Sequence, residues 1–111
     1  MLLNMMLLPA PQYTDNDGVL IPGGKLYFYK AGTTTELKDT YADVLGVTKN
    51  ANPIVLDSAA RSAVPIWLDG YYNIFLYDAN NVLIWSVDNV YGIGYNPIDT
   101  ENSEVAQDVI V

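Results

Sequence analysis

The segment that most constrains the fold is residues 22–35, PGGKLYFYKAGTTT, which holds a turn, an extended run and a second turn. Its opening Pro-Gly-Gly combines one stiff residue with two that accept positive φ, so the chain can reverse sharply there. In the run that follows, Leu26 and Phe28 alternate with Tyr27 and Tyr29, which is the period of two of a β-strand. The segment therefore predicts a strand of a small β domain, with the tyrosines on one face and the leucine and phenylalanine on the other.

A second region predicts a β-hairpin. Residues 71–77, YYNIFLY, and residues 82–87, VLIWSV, both read as strands, and the DANN sequence between them reads as a turn. Asn80 and Asn81 tolerate the left-handed backbone that a tight hairpin requires. Both faces of the hairpin are apolar, so we expect burial on both sides, either between two sheets or against a second subunit. The returning strand places three residues on one face: Leu83, Trp85 and Val87.

Three shorter segments also predict strands, at residues 37–41, 54–56 and 64–68. Pro65 places the last of these at a sheet edge or at the start of its strand, because proline has no backbone N–H to donate. The corner that follows the second segment begins at Asp57, whose carboxylate can accept hydrogen bonds from the next backbone amides. The chain is therefore predicted to be all-β, a small antiparallel domain.

Composition indicates that part of the surface is covered by a partner. A chain of 111 residues is one domain by length, yet half of it is hydrophobic and only 16% is charged, where about a quarter is usual. Nine tyrosines and two tryptophans add to this expectation, although aromatic residues also simply populate strands. The net charge of −8 argues against a nucleic acid or an anionic membrane surface as that partner.

The residue inventory predicts neither a metal nor a cofactor. There is no cysteine and no histidine, so disulfides, thiolate metal sites and imidazole bases are excluded. Residues 15–18, DNDG, resemble the start of a calcium loop, but the twelfth position of that loop is Leu26 rather than glutamate. Gly92 and Gly94 lack the third glycine of a dinucleotide-binding loop.

Catalysis would have to use carboxylates, lysines, tyrosines or serines. Hydrolysis of a glycosidic bond is one reaction that a pair of carboxylates performs. We nevertheless predict that the protein is not an enzyme, because aspartate at a strand end or turn ordinarily shapes the turn. The candidate aspartates all fall at such positions: Asp57, Asp69, Asp78 and Asp88.

The chain divides into an apolar N-terminal arm over residues 1–12, a β domain over 13–90, and a connector with an acidic segment over 91–111. The arm lacks the basic region and cleavage site of a signal peptide, and it is too short to span a bilayer. We expect it to be buried in its own core or in a neighbouring chain, with a disordered tail as the alternative. In the C-terminal segment, Ser103 can cap a short helix, and an extended tail is the other interpretation.

Five motifs follow one another in an order and spacing typical of a known family. They are GGKLYFYKAGTTT at 23–35, TYAD at 40–43, NANPIVLD at 50–57, IWL at 66–68 and WSVDNV at 85–90. On these motifs, residues 11–90 resemble the N-terminal virion-anchoring, head-binding domain of bacteriophage tailspikes and tail fibres. Two departures stand out: Ala60 precedes Arg61 where the family usually has glycine, and the long receptor-binding or glycan-cleaving region of the family does not follow.

The resemblance implies a β-sandwich-like domain of two packed sheets and a homotrimer that attaches a tail fibre or tailspike to a tail, portal-adaptor or baseplate protein. It places the chain in the virion tail after assembly in the host cytoplasm. Five aromatic residues are then expected at the self-association interface: Tyr27, Tyr29, Tyr72, Phe75 and Trp85. Removal of the first eight residues is expected to leave the fold intact. The arm and one nearby residue are expected to dock to the virion, through Met1, Leu2, Leu3, Met5, Met6, Leu7, Leu8 and Tyr13.

Two other functions remain open from the sequence. One is a separate adaptor protein of the virion, to which a fibre attaches through the acidic C-terminal segment. The other is a carbohydrate-binding module in which Trp67, Trp85 or the tyrosines stack on sugar rings, although both tryptophans lie in apolar runs that favour core positions. Arg61, the only arginine, is expected to be a structural anchor paired with a carboxylate or with backbone carbonyls.

Overall fold

The computed structural model describes residues 3–6 and 11–91, and within these ranges the chain is all-β with no helix. The six strands are β1 (Asn4–Met5), β2 (Lys25–Lys30), β3 (Ile54–Val55), β4 (Trp67–Leu68), β5 (Tyr72–Tyr77) and β6 (Leu83–Val90). A four-stranded antiparallel sheet has the order β3-β2-β5-β6, and β1 pairs separately with β4. Nothing in the described ranges could cross a membrane as an apolar helix.

Strand β2 lies in the middle of the sheet and confirms the predicted alternation. Leu26 and Phe28 are fully buried, whereas Tyr27 and Tyr29 are half-buried on the opposite face. The glycine that precedes the strand is required by close packing, since a Cβ added to Gly24 would lie 2.8 Å from the Tyr77 carbonyl oxygen. The start of β2 is therefore held against the end of β5.

The predicted β5–β6 hairpin is confirmed, with two irregularities that the sequence did not indicate. One extra residue in β6 follows the Tyr77–Leu83 pair, and another precedes the Tyr72–Val90 pair. The first bulge places Leu83 opposite Tyr77, whereas Trp85 lies opposite the buried Leu76. The prediction that Leu83 shares a face with Trp85 and Val87 is therefore wrong, because a one-residue bulge moves a side chain to the other face of a strand.

Strand β6 is the outer strand of the sheet, and much of it is exposed. Leu83 and Val87 are 47% and 50% exposed, so the expectation that both faces of the hairpin are buried fails for β6 within a single chain. Strand β5, by contrast, has Tyr72, Ile74 and Leu76 in the core. The difference arises because β5 has a neighbour on each side and β6 has one.

The prediction of a strand at residues 37–41 is wrong. Only single bridges form there, from Leu37 to Tyr29 and from Tyr41 to Lys49 and Trp67. Beside β2, the Asn52 side chain takes the place of a strand residue: its Oδ1 accepts from the Phe28 amide at 3.1 Å, and its Nδ2 donates to the Phe28 carbonyl at 2.7 Å.

The predicted strand at 64–68 shortens to Trp67–Leu68. Pro65 cannot donate to a ladder, and its carbonyl accepts instead from the Asn50 side chain at 2.9 Å. The predicted strand at 54–56 is confirmed over Ile54–Val55.

Four turns repeat one local design, and we call them the Asp loops: residues 15–18, 43–46, 57–60 and 78–81. In each, the fourth residue has positive φ and donates its amide to the carbonyl of the leading aspartate. The aspartate carboxylate accepts further amides beyond its own position, as Asp57 does from Ala59 at 2.9 Å and Arg61 at 3.0 Å. The carboxylate thus closes each turn locally, which confirms the predicted role of Asp57.

The core is one cluster that joins the sheet to the β1–β4 pair. Met6, the residue after β1, and Leu68 of β4 pack in the same cluster as Leu26 and Phe28 from the sheet. The largest fully buried side chain is Tyr72, whose hydroxyl donates to the Asp39 carbonyl at 2.6 Å and accepts from the Asp69 amide at 2.9 Å.

Candidate interaction surfaces

The face of the sheet opposite the core carries four aromatic rings that contact one another. The β2–β5 register sets Tyr27 directly opposite Phe75, and the period of two then brings Tyr29 and Tyr77 to the same face. All four side chains are half-buried. We call this group the aromatic face.

The rings of the aromatic face form a closed arrangement. Neighbours along each strand are nearly parallel: Tyr27 and Tyr29 at 6.2 Å and 11°, and Phe75 and Tyr77 at 6.4 Å and 13°. Across the strands they meet edge to face, Tyr27 with Tyr77 at 5.4 Å and Tyr29 with Phe75 at 5.5 Å. Each such contact contributes about 0.5–1.5 kcal/mol beyond area burial, so the four rings hold one another in place.

A concavity of about 320 Å³ opens beside these rings, lined by Tyr27, Tyr29, Tyr77 and Asn81. The Asn81 Oδ1 accepts a hydrogen bond from the Lys25 Nζ at 2.9 Å, which ties the hairpin turn to the start of β2. Burial raises the pKa of Tyr29, and the nearby phenols of Tyr77 and Tyr27 raise it further. The concavity presents phenol hydroxyls and an amide, groups that can hydrogen-bond an uncharged polar ligand.

A second surface lies at the outer edge of the sheet, on the core side of β6. A notch of about 160 Å³ opens there, and its lining residues are all apolar. We call it the β6 notch: Met6, Ile74, Trp85, Val87 and Val90. The notch exists because the β1–β4 pair covers Ile74 but leaves Trp85 and Val87 partly exposed.

The strip that flanks the notch carries little charge. Within β6 the only charged residue is Asp88. Its carboxylate is turned back onto its own chain, where it accepts from the Gly32 amide at 3.0 and 3.1 Å and from the Asn89 amide at 2.7 Å. Strand β6 therefore carries a single negative charge, which is bound to its own chain, on a strongly acidic protein.

The structure separates the residues predicted for self-association. Tyr27, Tyr29 and Phe75 come together on the aromatic face, whereas Trp85 lies in the β6 notch. Tyr72 is fully buried and hydrogen-bonded, so its side chain is a core residue and is not available for a surface contact. Its neighbours in the alternation, Ile74 and Leu76, are also buried.

The residues predicted for docking are placed differently from the expectation. Leu3, Met6 and Tyr13 are buried in the chain's own core, so they do not form a docking surface, and Met5 is half-buried in β1. This burial also contradicts the expectation that loss of the first eight residues leaves the fold intact. The remaining predicted residues lie outside the described part of the chain: Met1, Leu2, Leu7 and Leu8. The interpretation of residues 92–111, including Ser103, also lies outside it.

The turn at Arg61 keeps the geometry that glycine usually provides. Ala60 has φ of 58° and is fully buried, and its carbonyl accepts from the Tyr13 amide at 2.9 Å. The departure from the family pattern at this position thus leaves a left-handed residue in place. The predicted anchoring role of the Arg61 side chain stays a prediction.

Three of the four candidate catalytic aspartates have carboxylates that shape the backbone; for Asp69 it is the amide that is engaged, with the Tyr72 hydroxyl. The carboxylates of Asp57, Asp78 and Asp88 all accept backbone amides. The pKa of the Asp43 carboxyl is lowered because it accepts hydrogen bonds from the Thr48 and Val47 amides. In the part of the chain that the structure describes, no group of three or more acidic side chains could hold a metal ion.

Five residues of the candidate surfaces were missed from the sequence, and Met6 was assigned to another role: the five are Tyr77 and Asn81 at the aromatic face and Ile74, Val87 and Val90 in the β6 notch. Tyr77 belongs to the aromatic face, and the alternation with Phe75 was a signal that could have found it. Met6 belongs to the β6 notch rather than to a docking arm, and no sequence signal shows which strand lies beside it. Compared with models of protein families and with curated proteins, the chain matches none.

Proposed function

We propose that this protein is a structural attachment domain of a bacteriophage virion, which joins a trimeric tail fibre or tailspike to the phage tail or baseplate. The observation that carries the proposal is that one chain leaves two apolar surfaces uncovered, the aromatic face and the β6 notch. Contiguous apolar surface of this kind marks sites of protein association. The motifs shared with head-binding domains supply the kind of assembly.

The proposal includes a homotrimer and a two-layer domain. Met6, the residue after β1, and Leu68 of β4 share one core with Leu26 and Phe28 of the larger sheet, which supports a sandwich-like arrangement of two layers. Tyr27, Tyr29, Phe75 and Trp85 are the self-association residues that remain accessible. Permanent interfaces of this type commonly bury roughly 2,000 Å² or more.

A role without catalysis is supported by the use of the acidic side chains. The carboxylates that a glycoside hydrolase would require are engaged with backbone amides in turns, as Asp57 and Asp78 show. In this proposal the acidic charge keeps a concentrated virion component soluble.

The proposal is tested on particles and on the purified chain. Virions purified from the host that carries this gene are labelled with gold-conjugated antibody raised against the chain, and we expect the label at the tail. Sedimentation equilibrium over a range of concentrations is expected to give a trimer. Purified virions that lack the chain would refute the attachment role. A separate adaptor that links a fibre to the tail would give the same label but would copurify with a second, longer fibre protein.

A second candidate is a carbohydrate-binding module, and the concavity beside the aromatic face favours it. Its lining of three tyrosines and Asn81 offers phenol and amide groups for sugar hydroxyls. A panel of neutral oligosaccharides would be titrated into labelled protein by NMR, with Tyr77→Ala as the site variant and Tyr71→Ala, on the exposed end of the hairpin, as the control. Shifts confined to the concavity and lost in Tyr77→Ala would support the module, and a spectrum without shifts would exclude it.

A further inference from the structure

We infer that the β6 notch and the outer edge of β6 are the surface through which copies of this chain associate, each notch receiving an apolar side chain of a second copy. The inference rests on the proposed self-association and assigns its location. Three observations carry it: the apolar lining of the notch, the position of β6 at the sheet edge, and the distribution of charge.

The first observation is chemical. All five residues that line the notch are apolar, and the opening of about 160 Å³ is close to that of an apolar cavity that accepts a benzene-sized group. A sugar, a phosphate or a metal ion would find no partner for its polar atoms there. The occupant is therefore an apolar side chain.

The second observation is topological. Strand β6 is eight residues long and has a sheet neighbour on one side only, within the described residues. Natural proteins protect such an edge with lysine, proline, other charges or β-bulges; the sequence LIWSVDNV contains neither lysine nor proline, and its two bulges leave a regular stretch at residues 85–87 between them. Val87 is half exposed at the middle of this strand. An edge of this composition is covered in an assembled protein.

The third observation identifies the occupant as a second copy. The chain carries a net charge of −8, so two copies can approach closely only where carboxylates do not oppose each other. Strand β6 meets this condition, because Asp88 is its single charge and is held by the Gly32 amide of its own chain. A basic partner would instead be drawn to the acidic turns.

The test uses the full chain and a lysine placed at the notch. Val87→Lys is compared with Val47→Lys and Val19→Lys, which change charge equally at residues that are 78% and 60% exposed in loops. We expect Val87→Lys to raise the dissociation constant measured by sedimentation equilibrium by about tenfold or more, because an ammonium would enter an apolar contact. The two controls are expected to associate as the parent chain does, and near-ultraviolet circular dichroism checks that each variant is folded.

A second variant keeps the test decisive if Val87→Lys does not fold. Because the chain has no cysteine, Val87→Cys places a single thiol at the notch, and Val47→Cys places one at the control site. We expect the Val87→Cys thiol to react with a water-soluble thiol reagent much more slowly in the assembled protein than in chains diluted to monomers, and the Val47→Cys thiol to react at one rate in both.

The outcomes separate this inference from the proposed function. A parent trimer that persists in Val87→Lys, with a Val87→Cys thiol that reacts as fast in the assembled protein as in monomers, would overturn the notch as the interface and leave the attachment role standing. A parent chain that is monomeric at all concentrations would overturn the inference outright. The attachment role would then depend on the gold labelling alone.

Discussion

Tyr13 and Tyr72 are both buried in the core, but their hydroxyl groups have different surroundings. Replacing each tyrosine with phenylalanine tests whether the packing of the core is understood. The Tyr72 hydroxyl makes two hydrogen bonds, to the Asp39 carbonyl at 2.6 Å and from the Asp69 amide at 2.9 Å. The Tyr13 hydroxyl is buried with no hydrogen-bond partner among the described residues, and the side chain is 6% exposed. The same substitution should therefore have opposite effects.

The magnitudes follow from the hydrogen bonds. A typical bond contributes about 1 kcal/mol net, so Tyr72→Phe is expected to cost about 2 kcal/mol for the two that it removes. Tyr13→Phe removes an oxygen that has lost its hydration without a replacement, which should return about 1 kcal/mol. The two variants should differ by about 3 kcal/mol in free energy of unfolding.

The measurement is the unfolding free energy from urea titration, supported by thermal melts at one fixed protein concentration, because association would shift the midpoint. For a domain of this size, 1 kcal/mol corresponds to about 4–8 °C. Tyr72→Phe is therefore expected to melt about 8–16 °C below the parent chain, and Tyr13→Phe slightly above it. Equal destabilisation by both substitutions would show that the Tyr13 hydroxyl has a partner, and that the reasoning about its burial is wrong.

Three further predictions follow from the core and the turns. Burial raises the pKa of both Tyr13 and Tyr72 to about 12 from an ordinary 10.0, so the stability that these residues contribute below pH 10 should be lost as the pH rises toward 12. Tyrosinate absorbance and circular dichroism should therefore change together. Early ionisation of all tyrosines without unfolding would contradict this prediction. Ala60→Gly should leave the free energy of unfolding nearly unchanged, because relief of the backbone strain at a φ of 58° offsets the loss of the methyl contact. Ala60→Val should lower the free energy of unfolding in urea by about 2 kcal/mol or more. Equal stabilities of the two variants would count against backbone strain at this turn. Deleting residues 1–8 removes the buried Leu3 and Met6 and should cost about 3–5 kcal/mol, so an unchanged urea midpoint would show that the arm does not pack as described.

The sequence was sufficient to predict those structural elements that are determined by residues close to one another in the chain. The alternation in β2 predicted which side chains are buried, and the asparagines at residues 80 and 81 predicted the hairpin turn, where Asn81 has φ of 65°. The aromatic face was partly predictable for the same reason, since a period of two places Tyr27, Tyr29 and Phe75 on one side once the strands are paired.

The failures arise where distant residues decide the structure. Residues 37–41 do not form a strand: the Lys38 amide reaches the Phe28 carbonyl, but the Phe28 amide donates to the distant Asn52 side chain instead of to this segment. The face of Leu83 depends on a bulge whose position no local pattern indicates. The β6 notch includes Met6, which is about eighty positions from Trp85 in the sequence and reaches it only through the β1–β4 pairing.

The Asp loops make the electric charge of this protein adjustable without a change of shape. Asp15, Asp57 and Asp78 each accept both loop amides through a single oxygen, Oδ1, which an asparagine side chain also possesses. Exchanging these residues for asparagine would keep the acceptor and remove three negative charges from three separate turns. Variants of one scaffold can thus present different electrostatic potentials to different docking partners while their backbones remain superimposable.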